Sequence, residues 1–314
     1  MEILVSGSLA YDRIMDFPGL FSEHIMPDKI DNINVSFTVN GLVENFGGTA
    51  GNIAFALSQL GESPRIISSI GHDYHRYFRW LDEHSLVQDN IRVIQEEPTA
   101  SAYITTDQHD NQITGFNPGA MKYSAEVDFS GLGPDRCIAI IAPGNLDDMA
   151  NLSKEYKLRD IFTIFDPGQS LPVWDAEKLS ECIQRSQILI SNDYEHSLIC
   201  EKTGISSDDL LKLVDTVIVT QGANGCLIST KENCVRVPAI YTNNAIDPTG
   251  AGDAFRGGLL KGLAAGHTVQ TGAQMGTLCA NLTVQQLGTQ NYKVTKEFVE
   301  EGLKCQFGTD ISVR

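Results

Sequence analysis

Residues 245–258 read Ala-Ile-Asp-Pro-Thr-Gly-Ala-Gly-Asp-Ala-Phe-Arg-Gly-Gly, a glycine-rich turn that leads directly into a helical pattern. Gly250 and Gly252 allow backbone N–H groups to point toward one place, and the start of a helix adds partial positive charge there. The segment therefore predicts an anion site that needs no basic side chain. Asp253 lies in the first turn of this helix, where a carboxylate either caps the helix or faces the bound anion.

An acidic composition restricts how this chain can bind phosphate. Its 314 residues include 40 Asp and Glu against 23 Lys and Arg, a formal net charge of −17 at pH 7. Such a surface repels polyphosphate backbones, so nucleic-acid binding is disfavoured. Any phosphate site must then depend on backbone N–H groups, helix N-termini and bound cations. No apolar run approaches the roughly 20 residues that span a bilayer, so no membrane association is expected.

The N-terminus and the cysteines indicate a cytoplasmic protein. Residues 1–12 lack the basic segment and the cleavable apolar core of a signal peptide. The seven cysteines are scattered and never spaced as CxxC, which favours reduced, mostly buried thiols over disulfides or a zinc site. We therefore predict a cytoplasmic location.

Alternating strand and helix patterns predict an α/β fold. A strand is predicted within residues 1–8, and a helix with apolar residues on one face follows Gly47-Gly48 and ends at Gly61. Further strands are predicted at 137–142, 161–166, 188–191 and 216–220, with helices near 147–156, 175–185, 195–203 and 207–213. This alternation predicts a mostly parallel sheet with helices on both faces.

Two β-rich stretches interrupt this alternation. Residues 13–45 contain strand-like pieces such as 33–39, and residues 92–121 contain a predicted hairpin of strands 101–106 and 112–116. We predict that these two insertions form one small sheet, a lid over the carboxyl edge of the main sheet. The core domain is then expected to comprise residues 1–12, 46–91 and 122–314.

The segment at 247–253 resembles a family signature. Asp-Pro-Thr-Gly-Ala-Gly-Asp is similar to the D-T-x-G-A-G-D motif of the ribokinase-like (PfkB) carbohydrate kinases, with proline in place of the usual threonine at 248. Gly47-Gly48 with Asn52 resembles the family's di-glycine signature. Residues 192–195 match its N-x-x-E motif and residues 220–225 its nucleotide-binding T-x-G-x-x-G segment. The resemblance extends over nearly the whole chain, with the motifs in the family's order.

The resemblance implies a three-layer αβα ribokinase-like fold and an ATP-dependent kinase that acts on an alcohol group. Asp253 would accept the proton, and the loop of Gly250, Ala251 and Gly252 would stabilise the transferred phosphoryl group. The implied acceptor-binding residues are Ser8, Asp12, Gly47, Gly48 and Asn52, and the implied nucleotide-binding residues are Asn192, Thr220, Gly222, Gly225, Gly250 and Gly252.

The resemblance also implies two cation sites. Mg²⁺ would bridge the ATP phosphates, with Glu195 acting largely through coordinated waters. A monovalent cation, K⁺, would lie beside the glycine loop, with ligands from Asp247, Thr249 and the loop near Gly288.

Each of these features also has a structural explanation. Gly47-Gly48 is compatible with a plain turn before a helix, Glu195 with a first-turn carboxylate, and Asp12 with a cap of a local turn. Their order along one α/β chain favours the family over coincidence. Because Asp253 lies at a helix N-terminus, we expect its pKa to be lowered, which would make it a weak base at neutral pH.

The acceptor is expected to be a nucleoside, adenosine first. Phe37, Tyr103 and Phe116 in the β-rich insertions either stack on a flat base or form the core of the small sheet. Four segments look like the bacterial adenosine-kinase-like branch of the family, and these are residues 7–12, 111–120, 165–169 and 254–258. Phe116 is therefore included among the acceptor-binding residues. Ribose or another sugar is the alternative acceptor.

Two further alternatives remain open from the sequence. A regulatory protein that binds a sugar or nucleoside without turnover would keep the fold, although the intact Asp253 and Glu195 argue against it. The lid either closes on the acceptor or serves as a fixed homodimer interface.

Overall fold

Runs of buried aliphatic residues form a large sheet in the computed structural model, which describes residues 1–25, 34–109 and 111–313. Nine strands of this part of the chain lie in the order β13-β12-β11-β10-β9-β8-β1-β4-β5. They are β1 Glu2–Ser6, β4 Arg65–Gly71, β5 Ile91–Ile94, β8 Cys137–Ile141, β9 Phe162–Phe165, β10 Ile188–Asn192, β11 Thr216–Thr220, β12 Cys226–Thr230 and β13 Cys234–Val237. Neighbours from β11 to β5 pair in parallel, whereas β12 and β13 form an antiparallel edge.

Helices cover both faces of the large sheet. They are α1 Phe21–His24, α2 Thr49–Gln59, α3 His75–Glu83, α4 Leu146–Leu158, α5 Ala176–Gln184, α6 Asp193–Thr203, α7 Ser207–Leu210, α8 Ala251–Ala264, α9 Val269–Thr283 and α10 Lys296–Phe307. In β1, Ile3 and Val5 join the core beneath α2 and α8, whereas Leu4 joins the core beneath α4 and α5. Alternate residues of one strand thus enter two cores, which confirms the three-layer αβα prediction.

A second sheet of four strands lies apart from the large one. Its order is β3-β2-β6-β7, and its strands are β2 Ala10–Asp16, β3 Asn40–Gly47, β6 Ala100–Thr106 and β7 Gln112–Asn117. The β2–β6 pair is parallel, and the other two pairs are antiparallel. The predicted hairpin is thus present, and the small sheet combines strands from both β-rich stretches.

The small sheet differs from the sequence prediction at its edges. Residues 34–39 form no strand, and β3 begins only at Asn40, while Ile33 lies outside the described residues. β2 begins at Ala10, before the predicted start of the insertion. Residues 92–94 belong to β5, which pairs with β4 in the large sheet. The reason is that a strand is delimited by its pairing partner, which local sequence does not reveal.

Two further observations concern the state of the cysteines and whether a helix could cross a membrane. All seven cysteines are free thiols, with Cys234 and Cys305 exposed. Across residues 1–25, 34–109 and 111–313, no helix combines the length and the apolar character that crossing a membrane requires.

Candidate active site

Three predicted site residues, together with Asp166, lie at or just after the ends of parallel strands at one edge of the large sheet. Asn192 ends β10 and pairs in register with Thr220, which ends β11. Asp166 follows β9, and Ser8 follows β1. Since the carboxyl ends of parallel strands meet at the same edge, the fold brings these residues to one side of the molecule.

The start of α2 depends on two glycines. Gly48 caps the helix with a φ of 88°, and a Cβ there would lie 2.5 Å from the Ser8 carbonyl oxygen. A Cβ on Gly47 would lie 2.5 Å from Asp12 Oδ2. Position 48 therefore requires glycine, and the close approach at Gly47 places the Asp12 carboxylate directly against the backbone that leads into α2.

The Ser8 side chain lies inside the protein. Its Oγ accepts a hydrogen bond from the Thr49 N–H at 3.1 Å, and its own N–H donates to Thr49 Oγ1 at 3.2 Å. The Thr49 hydroxyl in turn donates to the Pro143 carbonyl at 2.7 Å. Ser8 thus fixes α2 to the ends of β1 and β8, and a role in holding a ligand hydroxyl stays a prediction.

The start of α8 leaves backbone donors free. Gly250 caps the helix in the left-handed region, with a φ of 79° and no side-chain cap. The Ala251 N–H donates to the Pro248 carbonyl at 3.2 Å. The N–H groups of Gly252 and Asp253 donate to no acceptor among the residues that the structure describes. Two neighbouring donors without an acceptor thus lie at a helix N-terminus, where the sequence predicted an anion site, and anion binding there stays a prediction.

Asp253 contacts Asn52 of α2. Asn52 Nδ2 donates to Asp253 Oδ2 at 2.8 Å. Burial raises the pKa of Asp253 to about 7, against the lowering effects of Arg256 and of this hydrogen bond, and the negative charges of Asp166 and Asp12 raise it further. The predicted lowered pKa is therefore wrong. Although the carboxylate retains some contact with solvent, its desolvation by the surrounding protein raises the pKa more than the helix N-terminus lowers it.

A buried ion pair lies next to Asp253. Arg256, 6% exposed, places Nε 2.5 Å from Oδ2 of Asp166, which is 2% exposed. Arg256 Nη1 also donates to the Gly252 carbonyl at 2.9 Å. The guanidinium thus ties the first turn of α8 to the end of β9 and offsets part of the local negative charge. The motifs gave no role to Arg256 or Asp166. The available signal was that Asp166 directly follows a buried strand, where a charged residue needs an oppositely charged partner.

Asp12 presents a carboxylate that has no hydrogen-bond partner in the described part of the chain. Among the described residues it accepts no hydrogen bond, and burial followed by the negative charge of Asp247 raises its pKa to about 6. It is paired in register with Asn45 of β3 and with Ala102 of β6, which is paired with Phe116 of β7. These four side chains therefore share one face of the small sheet.

The Asp247 carboxylate organises the loop before α8. Its Oδ1 accepts the Thr249 N–H at 2.9 Å, and its Oδ2 accepts the Gly288 N–H at 3.0 Å. Burial alone would raise the pKa of Asp247, but these hydrogen bonds outweigh it and the pKa is lowered. The three residues predicted to bind a monovalent cation are thus adjacent, and the lowered pKa favours the charged form of the Asp247 carboxylate.

Asn192 and Glu195 close a capping box at the start of α6. Asn192 Oδ1 accepts the Glu195 N–H at 2.7 Å, and the Asn192 N–H donates to Glu195 Oε2 at 2.8 Å. Burial raises the pKa of Glu195, and the charge of Asp166 adds to the effect. In the part of the chain that the structure describes, no cluster of three or more His, Cys, Asp or Glu side chains is arranged around a metal ion.

The predicted nucleotide segment forms a tight turn between β11 and β12. The Gln221 N–H donates to the Gly225 carbonyl at 2.7 Å. Gly225 has a φ of 82°, and a Cβ there would lie 2.0 Å from the Val237 carbonyl oxygen. Gly222 also has a positive φ, 54°, but faces open space. The segment is therefore shaped by its glycines, and its contact with a nucleotide stays a prediction.

The three aromatic residues of the insertions have different environments. Phe37 packs against Phe17 and Phe21 with ring centroids 4.7 and 5.5 Å away, so it contributes to a local core. Tyr103 accepts a hydrogen bond from Arg13 Nη1 at 2.8 Å. Phe116 is 53% exposed, so of these three it is the one whose ring has the most free surface for a ligand.

Comparisons with known proteins agree with this geometry. The pfkB family carbohydrate kinase model matches residues 7–296. The nucleoside kinase of Methanocaldococcus jannaschii is 31% identical over 279 residues, which cover 88% of this chain and 91% of that protein. The structure of Burkholderia thailandensis nucleoside kinase in complex with inosine has a TM-score of 0.86 at 38% identity and covers 98% of this chain and 99% of that one. Its complex with ADP-inosine has a TM-score of 0.84 at 38% identity, with coverage of 99% and 98%.

Proposed function

Because this chain belongs to the pfkB carbohydrate kinase family, we propose that it transfers the γ-phosphoryl group of ATP to the hydroxymethyl group of a nucleoside. The relatives from M. jannaschii and B. thailandensis are both named nucleoside kinases, and one structure of the latter is named as a complex with ADP-inosine. The family and these relatives support both the donor and the class of acceptor.

One observation carries the proposal: the Asp253 carboxylate contacts a residue that we assign to the acceptor site, and its own helical turn carries two backbone N–H groups without an acceptor in the described chain. Asn52 of α2 contacts it directly, and the charge of Asp12 on the small sheet influences its pKa. The Gly252 and Asp253 N–H groups lie in the same turn of α8. A hydroxyl group and a phosphoryl group can therefore meet at this carboxylate.

In the proposed reaction, the acceptor oxygen forms a bond to the γ-phosphorus while the bond to the bridging oxygen breaks and ADP leaves. Asp253 accepts the proton of the hydroxymethyl group. A pKa of about 7 suits this role, because the carboxylate is both substantially ionised and basic enough near neutral pH. The free N–H groups of Gly252 and Asp253 stabilise the negative charge on the transferred group.

The residues present fit the cations that the reaction needs. Glu195 keeps one carboxylate oxygen outside its capping box, so it can act on Mg²⁺ through water, and the metal would neutralise charge on the ATP phosphates. Asp247, held by Thr249 and Gly288, offers a charged carboxylate for K⁺ beside the glycine loop. We assign nucleotide contacts to Asn192, Thr220, Gly222 and Gly225, at the ends of β10 and β11.

The small sheet supports a nucleoside over free ribose. Asp12 accepts hydrogen bonds from sugar hydroxyl groups, a role for which its carboxylate has no competing partner in the described chain. Phe116 lies on the same face, and so do Ile14, Ile104 and Val43 in the next row of paired residues. A ligand whose sugar is held at Asp12 would therefore place a flat base over an apolar surface. Among nucleosides, we propose adenosine first.

The test is an ADP-release assay with adenosine, inosine, guanosine and ribose. We expect kcat/KM for at least one nucleoside to exceed that for ribose by about 100-fold or more, because burying a base adds several kcal/mol of binding free energy. Ribose as the preferred acceptor would contradict the nucleoside proposal. No turnover with any of the four would contradict the kinase proposal.

A pair of variants locates the base. Phe116→Ala should lower kcat/KM for nucleosides by about tenfold and leave the value for ribose unchanged, because it removes apolar contact with the base alone. Ile113→Ala is the matched control, since Ile113 is a 45% exposed residue of the same strand whose side chain points to the opposite face. Equal effects of both substitutions would contradict the assignment of Phe116.

We also propose that the small sheet closes on the acceptor and that the protein works in the cytoplasm. The alternative role of the small sheet is a fixed interface that joins two copies of the chain as a homodimer. Closure would exclude water, which otherwise competes with the alcohol. Hydrogen exchange with and without acceptor tests it, since closure protects residues 34–39 and 101–106 and 112–116 only when the acceptor is bound. Unchanged exchange at saturating acceptor would contradict closure.

A further inference from the structure

A chain of hydrogen bonds leads from the indole of Trp80 to the carboxylate of Asp253. Trp80 Nε1 donates to Gln290 Oε1 at 2.7 Å. Gln290 Nε2 donates to Asn52 Oδ1 at 2.9 Å, and Asn52 Nδ2 donates to Asp253 Oδ2 at 2.8 Å. A branch runs from Gln290 Nε2 to the Tyr77 hydroxyl oxygen at 3.2 Å. In the main line from Trp80 through Gln290 and Asn52, every donor points toward Asp253.

The direction of this chain is fixed by groups that can play only one role. An indole N–H can only donate, so the oxygen of the Gln290 amide must face Trp80. The Tyr77 hydroxyl donates to the Gly47 carbonyl at 2.7 Å, so its oxygen must accept from Gln290. Both requirements turn the amide nitrogen of Gln290 toward Asn52. Asn52 must then offer its oxygen to Gln290 and its N–H group to Asp253.

Burial makes the alternative orientation costly. Tyr77 is fully buried, and Gln290 and Asn52 are each 6% exposed. If the Asn52 amide were reversed, its N–H groups would face those of Gln290, and its oxygen would face the carboxylate. Buried polar groups without partners are strongly disfavoured, so one orientation dominates.

Gly51 of α2 leaves space for this chain of hydrogen bonds because it has no side chain. A Cβ on Gly51 would lie 2.0 Å from Tyr77 Oη and 3.1 Å from Gln290 Nε2. Trp80 is held by stacking on Phe46, with ring centroids 4.9 Å apart and planes 10° apart. The helix that carries Asn52 thus has no side chain where the two donors approach.

We propose that Gln290 is a positioning residue: held by Trp80 and Tyr77, it orients the Asn52 amide so that an N–H group always faces the Asp253 carboxylate. This inference rests on the proposed function only for its consequence, which is that the hydrogen bond from Asn52 favours the ionised form of the proton acceptor. The second N–H of Asn52 has no acceptor in the described chain and stays available for the acceptor substrate. Gln290 therefore acts on the reaction through Asn52.

The other titratable groups around Asp253 are unchanged by substitutions at Gln290 or Asn52. They are Arg256 of its own helix, Asp12 of β2, Asp166 after β9 and the phenol of Tyr292 before α10. Their influence on the pKa of Asp253 therefore cancels when a variant is compared with the unmodified protein. A difference between the two titration midpoints then reports on the hydrogen-bond chain.

The experiment follows the ionisation of Asp253 by NMR in the ligand-free chain labelled with ¹³C at aspartate side-chain carboxyl carbons. The Asp253 signal is identified by its loss in Asp253→Asn. In Gln290→Glu the carboxylate accepts from Trp80 but cannot donate to Asn52, so Asn52 reverses. We expect the titration midpoint of Asp253 to rise by about one pH unit, the size of a lost hydrogen bond to the charged form.

A double-mutant cycle separates orientation from charge. In an Asn52→Ala background, Gln290→Glu should shift the midpoint by less than about 0.3 pH unit, because the group that transmits the effect is absent. An equal shift in both backgrounds would mean that the new charge acts through space, and it would overturn the proposal. An unmoved midpoint in Gln290→Glu would overturn it as well.

Gln290→Met serves if Gln290→Glu does not fold, since it keeps the volume and adds no charge. We expect a rise of about half a pH unit, because Asn52 is then held by one partner only. An unmoved midpoint in this variant contradicts the proposal. Gln274→Met, a buried glutamine of α9 that contacts Thr309, is the control and should leave the midpoint unchanged. Because the titration needs no turnover, a failure of the kinase assay leaves this result unaffected.

Discussion

Two helices, α6 and α8, begin beside the candidate site, and they differ in whether the backbone N–H groups of their first turn are capped. α6 closes its own end, because Asn192 and Glu195 form a reciprocal capping box. α8 begins at Gly250 without a side-chain cap, and the N–H groups of Gly252 and Asp253 remain free in the described chain. The first arrangement stabilises the protein, and the second leaves donors for a ligand.

At the same edge of the sheet, the capped end of α6 contributes to stability, and the uncapped end of α8 carries the groups proposed to react. A self-capped helix needs no ligand, so Glu195 can contribute charge while its helix stays ordered. An uncapped helix depends on what binds to it, and its carboxylate Asp253 carries a raised pKa of about 7 because of burial. A group held in an unfavourable environment costs stability in exchange for reactivity.

The largest expected effect is in α8. Asp253→Asn should lower kcat by about 10² or more, because it removes the proton acceptor while leaving the contacts of the acceptor substrate in place. Asp193→Asn is the control in α6, since Asp193 is an exposed aspartate in the corresponding turn. It should keep kcat within about twofold. Near-normal turnover of Asp253→Asn would exclude Asp253 as the base.

Gly250→Ala tests whether the open helix end needs its backbone geometry. The new Cβ would lie 2.9 Å from Thr289 Cβ, and the residue would be strained at a φ of 79°. We expect kcat/KM for ATP to fall by about tenfold or more, as the free N–H groups shift. Gly204→Ala at the end of α6 has a similar φ of 69° with nothing nearby. Both should cost about 1 kcal/mol of stability, but only the first should impair catalysis.

Glu195→Gln isolates the charge of the closed helix end from its cap. Glutamine still completes a capping box, so the free energy of unfolding should change by less than about 0.5 kcal/mol. If Glu195 acts on Mg²⁺ through water, the Mg²⁺ concentration for half-maximal activity should rise by about tenfold. Asn192→Ala removes the cap but keeps the charge of Glu195, so we expect it to lower the free energy of unfolding by about 1 kcal/mol. An unchanged Mg²⁺ requirement in Glu195→Gln would leave Glu195 with a structural role only.

The last expected effect is a pH-dependent difference in melting temperature, which needs no measurement of activity. Since the pKa of Asp253 rises from 3.8 in the unfolded chain to about 7 in the folded one, folding binds a proton between these values. The unmodified protein should therefore lose stability relative to Asp253→Asn as pH rises from 4 to 7. The difference should be constant below about pH 4, change between about pH 4 and pH 7, and be constant again above about pH 7. A melting difference that does not vary with pH would contradict the raised pKa.

Local motifs determined much of the fold and most positions of the site. The glycine turn at 250–253 and the motif at 192–195 act through backbone geometry within one helical turn, which a sequence displays directly. The alternation of strands and helices after Cys137 predicted the αβα layers, and the family resemblance is confirmed by the match over residues 7–296. These features depend on neighbours in sequence, so they could be predicted without the structure.

Only the tertiary structure decided how the site is charged and oriented. The pKa of Asp253 depends on Asp12, Asp166 and Arg256, and Asn52 lies 201 positions away in sequence from the carboxylate it contacts. Gln290 lies 238 positions from Asn52 in a turn without a motif, so no local pattern marked it. Burial and hydrogen-bond partners arise when distant segments pack together. For that reason the sequence predicted a lowered pKa at this helix terminus, and the folded protein has a raised one.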